Sequence, residues 1–132
     1  MASECICATL RVAARKMTAR YDAALAPIGI NLAQFSLLRN INRAGLVSLT
    51  ELGRKVELDR STIGRNVRVL QRMGLVQVTP GADQREATVA LAEPGREVLR
   101  RGAPLWDGVQ DRIASDLGAA GVTQLRTLLN SL

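Results

Sequence analysis

The segment from Ser48 to Gly95 reads SLTELGRKVELDRSTIGRNVRVLQRMGLVQVTPGADQREATVALAEPG, and it leaves the chain few folds to choose from. Ser48 and Glu51 stand three apart ahead of an apolar run, the pattern of a capping box, and predict a helix ending near Val56. Asp59 is the expected N-cap of a second helix over roughly Arg60 to Met73, closed by Gly74. Leu75 to Thr79 and Ala87 to Leu91 alternate apolar and polar residues like strands, with Pro80, Gly81 and Asp83 in the turn between them. Helix, tight turn, helix and hairpin in this order make a winged helix-turn-helix.

The flanks are helical. Ile6, Leu10, Ala13, Met17, Tyr21 and Ala24 recur at three- and four-residue steps and predict a first helix from about Ser3 to Ala26, ended by Pro27 and Gly29. Asn31 and Gln34 form a second capping-box pattern, opening a helix that runs to about Arg43 and stops near Gly45. A short strand is expected over Val47 to Leu49. Pro94 suits the first turn of a long helix reaching Leu117, with a kink at Pro104. Gly118 and Gly121 are expected to break it before a last helix through Leu128. The chain has 132 residues, the size of one domain, and shows no repeat, linker or low-complexity stretch. The expected fold is mainly α (α+β): a single domain with a winged lobe over 31–93 and a helical region from 1–30 and 94–132. The first-helix stripe, together with Val98, Leu105, Val109, Ile113, Leu125 and Leu128, exceeds what one small lobe can bury. The helical region is therefore expected to pair two copies into a homodimer.

Composition narrows the function. Tyr21, Phe35 and Trp106 are the only aromatic residues, so the interior is aliphatic, as in packed helices. The net charge is +6, which favours a polyanionic partner, and Lys16 and Lys55 are the only lysines among the cations. With no histidine, no acid pair and no nucleophile–base motif, the chain does not read as an enzyme, and no cofactor is implied. The first residues lack the basic start and apolar run of a signal peptide, and no apolar run approaches membrane-spanning length. The expectation is a soluble cytoplasmic protein with no membrane partner.

On the second helix of the central segment, taken at about 100° per residue, Ile63, Val67 and Leu70 fall on one side with Met73 at its edge. Ser61, Arg65, Arg68 and Arg72 fall on the other, with no acid among them. A lone basic stripe is usually a solvated face. After a capped helix and before a hairpin, it is the helix that enters the DNA major groove, where Arg pairs with guanine or phosphate and Ser bonds either. Arg85 at the hairpin tip can reach an adjacent minor groove, with Asp83 two residues away to hold it.

The pieces LAQFSLLRNI, LTELGRKVELDRSTIGRNVRVLQRMGLV and DQREATVALAEPG resemble the MarR family of transcriptional regulators over nearly the whole chain. The resemblance implies a homodimeric repressor whose terminal helices interlock and whose two winged lobes bind a pseudo-palindromic duplex operator. By position it implies that Ser61, Thr62, Arg65 and Asn66 touch bases and nearby phosphates, that Arg85 is the wing arginine, and that Asp83 orients it. It also implies a small effector, such as a phenolic acid, another small aromatic or a thiol oxidant, that releases the operator. One departure stands out. The family's Leu-Thr-x-x-Gly after the wing is here Leu91-Ala92-Glu93-Pro94-Gly95, which lacks the hydroxyl cap of the long helix.

Cys5 and Cys7 are the only cysteines. In a helix they point about 200° apart and neither bond each other nor share an ion. At a frayed end, Cys-x-Cys binds a thiophilic ion, and with no third cysteine a disulfide would join subunits. Two readings stand: small apolar packing at the dimer interface, or a sensor of oxidants or metalloid ions. A winged helix that contacts protein or RNA without specific DNA binding is the alternative of another class.

Overall fold

The computed structural model describes residues 4–82 and 86–132. Helix α1 spans Ile6–Leu25 and passes through a single 3-10 turn, Ala26–Ile28, that Gly29 closes at φ 78°. Helix α2 spans Leu32–Ala44, and strand β1 spans Leu46–Ser48. Helices α3 (Leu49–Val56) and α4 (Arg60–Arg72) follow, then strands β2 (Val76–Thr79) and β3 (Thr88–Leu91), then helix α5 (Glu93–Asn130). The sheet is antiparallel in the order β1-β3-β2, with Val89 of β3 facing Val47 on one side and Val78 on the other.

The caps account for most boundaries. Asn31 accepts from the Gln34 amide at 2.9 Å, and the Gln34 side chain accepts from the Asn31 amide at 3.0 Å, a complete capping box. The box at α3 is half made. Ser48 accepts from the Glu51 amide at 3.1 Å, but the Glu51 carboxylate pairs with Arg54 at 2.5 Å instead of turning back. Since Ser48 ends β1 as well as capping α3, the strand lies one residue earlier than expected. Strands β2 and β3 begin one residue later than the alternation suggests.

One core unites the lobe. Leu25, Phe35, Leu38, Ile41, Leu52, Ile63, Val67, Leu70 and Val89 are almost wholly buried in it. Helix α5 begins against this core at its tightest contact: a Cβ on Gly95 would lie 2.1 Å from the Leu75 carbonyl oxygen, which itself accepts the Ala92 amide at 3.0 Å. The glycine of the family pattern is thus required by packing, while Ala92 caps α5 without any side-chain hydrogen bond.

Helix α1 lies along α5. The Tyr21 hydroxyl donates to Gln110, its ring lies 6.2 Å from Trp106, and burial pushes the phenol above its ordinary range. Asp22 accepts the Leu32 amide at 2.8 Å, tying α1 to the first turn of α2. Of the α1 stripe only Tyr21 is buried within the chain; Ile6 is 77% exposed and Leu10 37%. Leu125 and Leu128 are exposed too, but Val109 is buried within its own chain, and Val98 and Leu105 pack on the lobe core, so these three are not spare apolar surface.

Two expectations at the ends need correcting. Cys5 is not in α1; it is the extended N-cap residue at ψ 118°, and the helix begins at Ile6. The expected angular separation of Cys5 and Cys7 around one helix therefore does not hold. In α5, Gly118 alone leaves helical geometry, at φ 74° and ψ 159°, while Gly121 and Pro104 stay within the helix. The last helical turns run to Asn130 rather than Leu128.

Candidate nucleic-acid interface

Helix α4 is held by its inner face. Ile63, Val67 and Leu70 are at most 1% exposed, so the helix cannot rotate about its axis without opening the core. Ser61, Arg65, Arg68 and Arg72 are all exposed on the outer side, as the angular pattern predicts. Among the described residues, no ion pair engages Arg65, Arg68 or Arg72, in contrast to Arg20, Arg54, Arg96 and Arg100. Thr62 and Asn66 lie on the flank, half-buried, and Asn66 lines a hollow with Asn31, Gln34 and Leu37 of the α2 side. Asp83 and Arg85 lie outside the described residues.

The leading turn of α4 is a small network. Asp59 Oδ1 accepts the Thr62 amide at 2.8 Å and the Ser61 hydroxyl at 2.7 Å. The Thr62 amide above all, then the Ser61 and Thr62 hydroxyls and the charge of Arg65, hold the Asp59 carboxyl down at about 2. Thr62 Oγ1 accepts from Arg65 Nη2 at 3.3 Å. Sequence reasoning misses two residues here, Gly64 and Arg60. Gly64 sits in mid-helix, where glycine costs about 1 kcal/mol relative to alanine, and a Cβ there would press on the Arg60 guanidinium at 3.0 Å. Arg60 is exposed, and its guanidinium and that of Arg68 bracket Gly64. A glycine inside a well-capped helix was the available signal.

A second feature lies between α2 and α5. Phe35, Arg39, Asn42, Arg96, Leu99, Arg100, Trp106 and Asp107 help line a cavity of about 450 Å³. The Arg39 guanidinium lies 4.4 Å from the Trp106 ring centroid and 5.7 Å from that of Phe35, a cation held over two rings. Among the described residues, no helix is long and apolar enough to cross a membrane.

A family model described as "MarR family" matches residues 28–86, the α2-to-wing stretch. The M. tuberculosis transcriptional regulator MosR, solved in complex with DNA, is 38% identical over 96% of this chain and 92% of its own, with a TM-score of 0.86. The chain belongs to the MarR family. Family membership carries with it the role of a transcriptional regulator built on a winged helix. A second structure of M. tuberculosis MosR matches over 98% of each chain at 32% identity, with a TM-score of 0.77. A cysteine-to-serine mutant of E. coli MarR, solved with operator DNA, is 24% identical over 93% of this chain and 89% of its own, with a TM-score of 0.85, and supports the fold. No curated protein sequence matches the chain.

Proposed function

We propose that this MarR-family regulator is a homodimeric repressor that reads a pseudo-palindromic duplex operator with α4 and releases it when a small effector binds. The observation that carries the reading is the outer face of α4: three exposed arginines, unpaired with any acid among the described residues, on a helix whose other face is locked into the core. The likeness to MosR bound to DNA supports it. In this reading Arg65, Ser61, Thr62 and Asn66 contact bases and adjacent phosphates, and Arg68 and Arg72 hold phosphates. Arg85 and Asp83 of the wing are assigned to the flanking minor groove from their place in the sequence and from the family resemblance. Residues 31–93 form the DNA lobe, and 1–30 with 94–132 form the dimerisation region, for which the exposed Ile6, Leu10, Leu125 and Leu128 supply apolar surface. The site of action is cytoplasmic, where the operator is, and the role is binding rather than catalysis.

The test is a titration against duplex DNA from upstream of the protein's own gene and against a scrambled duplex, at several salt concentrations. Specific binding with a steep salt dependence is expected. Equal affinity for both duplexes, or a preference for RNA, would replace this reading with a general winged-helix interaction module. Sedimentation at micromolar concentration should show a dimer, and footprints on the operator should show half-sites about 10 bp apart.

For the effector, the cavity between α2 and α5 favours an anionic aromatic molecule, since Phe35, Leu99 and Trp106 line it and Arg39, which no ion pair engages among the described residues, offers a cation beside the rings; Arg96 and Arg100 are already paired with Glu93 and Glu97, and Asp107 sets the limit on added negative charge. A thiol sensor is the second reading. It is favoured by one observation: Cys5 and Cys7 are both exposed at the start of α1, Cys5 as its N-cap and Cys7 in its first turn. A peroxide or trivalent arsenic that lowers operator affinity in wild type, but not in a Cys5→Ser, Cys7→Ser double variant, selects the thiols. Release by an aromatic acid alone selects the cavity.

A further inference from the structure

The first turn of α4 carries an asymmetry that bears on which base it reads. An ionised carboxylate has no proton and can only accept, so in the 2.7 Å bond between Ser61 Oγ and Asp59 Oδ1 the serine is the donor. A serine hydroxyl has one proton. Once that proton is directed at Asp59, what Ser61 has left to offer outward is lone pairs. Arg65, four residues on and on the same face, offers only donors, and one of its Nη2 protons is already directed to Thr62 Oγ1.

These two ends read opposite chemistry. In the major groove, guanine N7 and O6 and thymine O4 are acceptors, whereas adenine N6 and cytosine N4 carry donor protons. A freely rotating serine serves either kind and discriminates little. We propose that Asp59, by taking the Ser61 hydroxyl proton, turns Ser61 into an acceptor-only reader, which recognises an exocyclic amino group of adenine or cytosine and rejects guanine and thymine. Asp59 is then a specificity-determining residue that acts through Ser61 as well as a helix cap. Ser61 and Arg65 lie about 6 Å apart along the helix axis, the span of roughly two base-pair steps. The half-site therefore pairs a guanine, for Arg65, with an amino-bearing base within a step or two of it. This rests on the reading that α4 enters the major groove.

The experiment selects preferred duplexes from a random library with wild type, then measures Kd for all four bases at each half-site position for wild type, Ser61→Ala, Asp59→Gly and Arg65→Ala at one salt concentration. Glycine is the replacement for Asp59 because it is tolerated at an N-cap and carries no side chain to take the Ser61 proton. Wild type should show one position per half-site where adenine or cytosine is favoured over guanine and thymine by about 5- to 10-fold, the weight of one hydrogen bond. Ser61→Ala should flatten that position alone. Asp59→Gly should open it to guanine and thymine, because the hydroxyl proton is released, while the guanine preference lost in Arg65→Ala stays intact. The proposal is overturned if Asp59→Gly leaves the preference at the position flattened by Ser61→Ala unchanged, or if Ser61→Ala flattens none while Arg65→Ala flattens its own. If wild type selects no sequence at all, the DNA-reading function itself fails, and this inference falls with it.

Discussion

Replacing Gly95 with alanine sets two effects of opposite sign against each other. Gly95 is the third residue of α5, and helix propensity alone favours alanine there by up to about 1 kcal/mol. The structure argues the other way. A Cβ at this position would stand 2.1 Å from the Leu75 carbonyl oxygen, where ordinary contact begins near 3.4 Å, so the two backbones must part by about 1 Å. The same carbonyl accepts the Ala92 amide at 3.0 Å, and that bond cannot survive the separation. Overpacking costs about 1–3 kcal/mol, and the lost hydrogen bond costs about 1 kcal/mol. Against the propensity gain, the net loss is about 2 kcal/mol, or close to 1 M in the urea midpoint of a protein of this size. The assay is urea unfolding followed by far-ultraviolet circular dichroism at one fixed protein concentration, because dissociation of the proposed dimer would move the midpoint with concentration. Gly108→Ala is the control on the same helix: its Cβ would meet nothing nearer than Arg112 Nη1 at 3.7 Å, so its midpoint should hold or rise. A Gly95→Ala midpoint at or above wild type would refute the packing argument.

Ala92→Thr supplies the missing cap of α5, but the gain should be only about 0.5 kcal/mol, the low end for an N-cap. Pro94 has no amide to donate, and the Gly95 amide already bonds the Ala92 carbonyl at 3.0 Å; an unchanged thermal melt would show that no donor remains to be capped. Arg65→Ala should relax base preference, whereas Arg72→Ala should weaken all duplexes alike and reduce the salt slope by about one; the reverse pattern in salt titrations would exchange their roles. Asp59 is ionised in the folded state down to about pH 2, below its ordinary 3.8, so its stabilising effect is complete above pH 3.8 and lost as pH falls toward 2. In acid titrations of unfolding, Asp59→Asn should lose part of the slope between those two values and keep the neutral-pH behaviour; an unchanged slope would remove the carboxylate from the α4 cap.

The elements were legible where local chemistry decides them. The Asn31–Gln34 box, the Asp59 cap and the sidedness of α4 each follow from residues within one turn of each other, and each stands where the pattern put it. What was illegible depends on distant neighbours. Val109 has the spacing of an interface residue and is instead buried in its own chain. Gly118 and Gly121 look alike in sequence, yet one breaks α5 and the other continues it. Cys5 stands at a helix start whose first residue no capping side chain marks. Gly95 matched a family pattern, but its reason, the Leu75 carbonyl twenty residues back, is a tertiary one. Within the candidate interface the arginines could be found by angle, whereas the link from Asp59 to Ser61 depends on how the turn before α4 folds.

The break at Gly118 has a consequence for how such regulators diversify. Its dihedrals, φ 74° and ψ 159°, belong to a region open essentially to glycine alone. Any other residue must either straighten the 38-residue α5 into one rod or send its last turns elsewhere, carrying Leu125, Leu128 and Leu129 to a new place. After gene duplication, two daughter proteins in one cell must avoid forming mixed pairs before they can control different genes. In the proposed homodimer, a change at position 118 would redirect the arm assigned to pairing, while α4 and the core around Phe35 stay untouched. On that proposal, the choice of partner and the choice of operator would be inherited as separate traits, since position 118 lies outside α4.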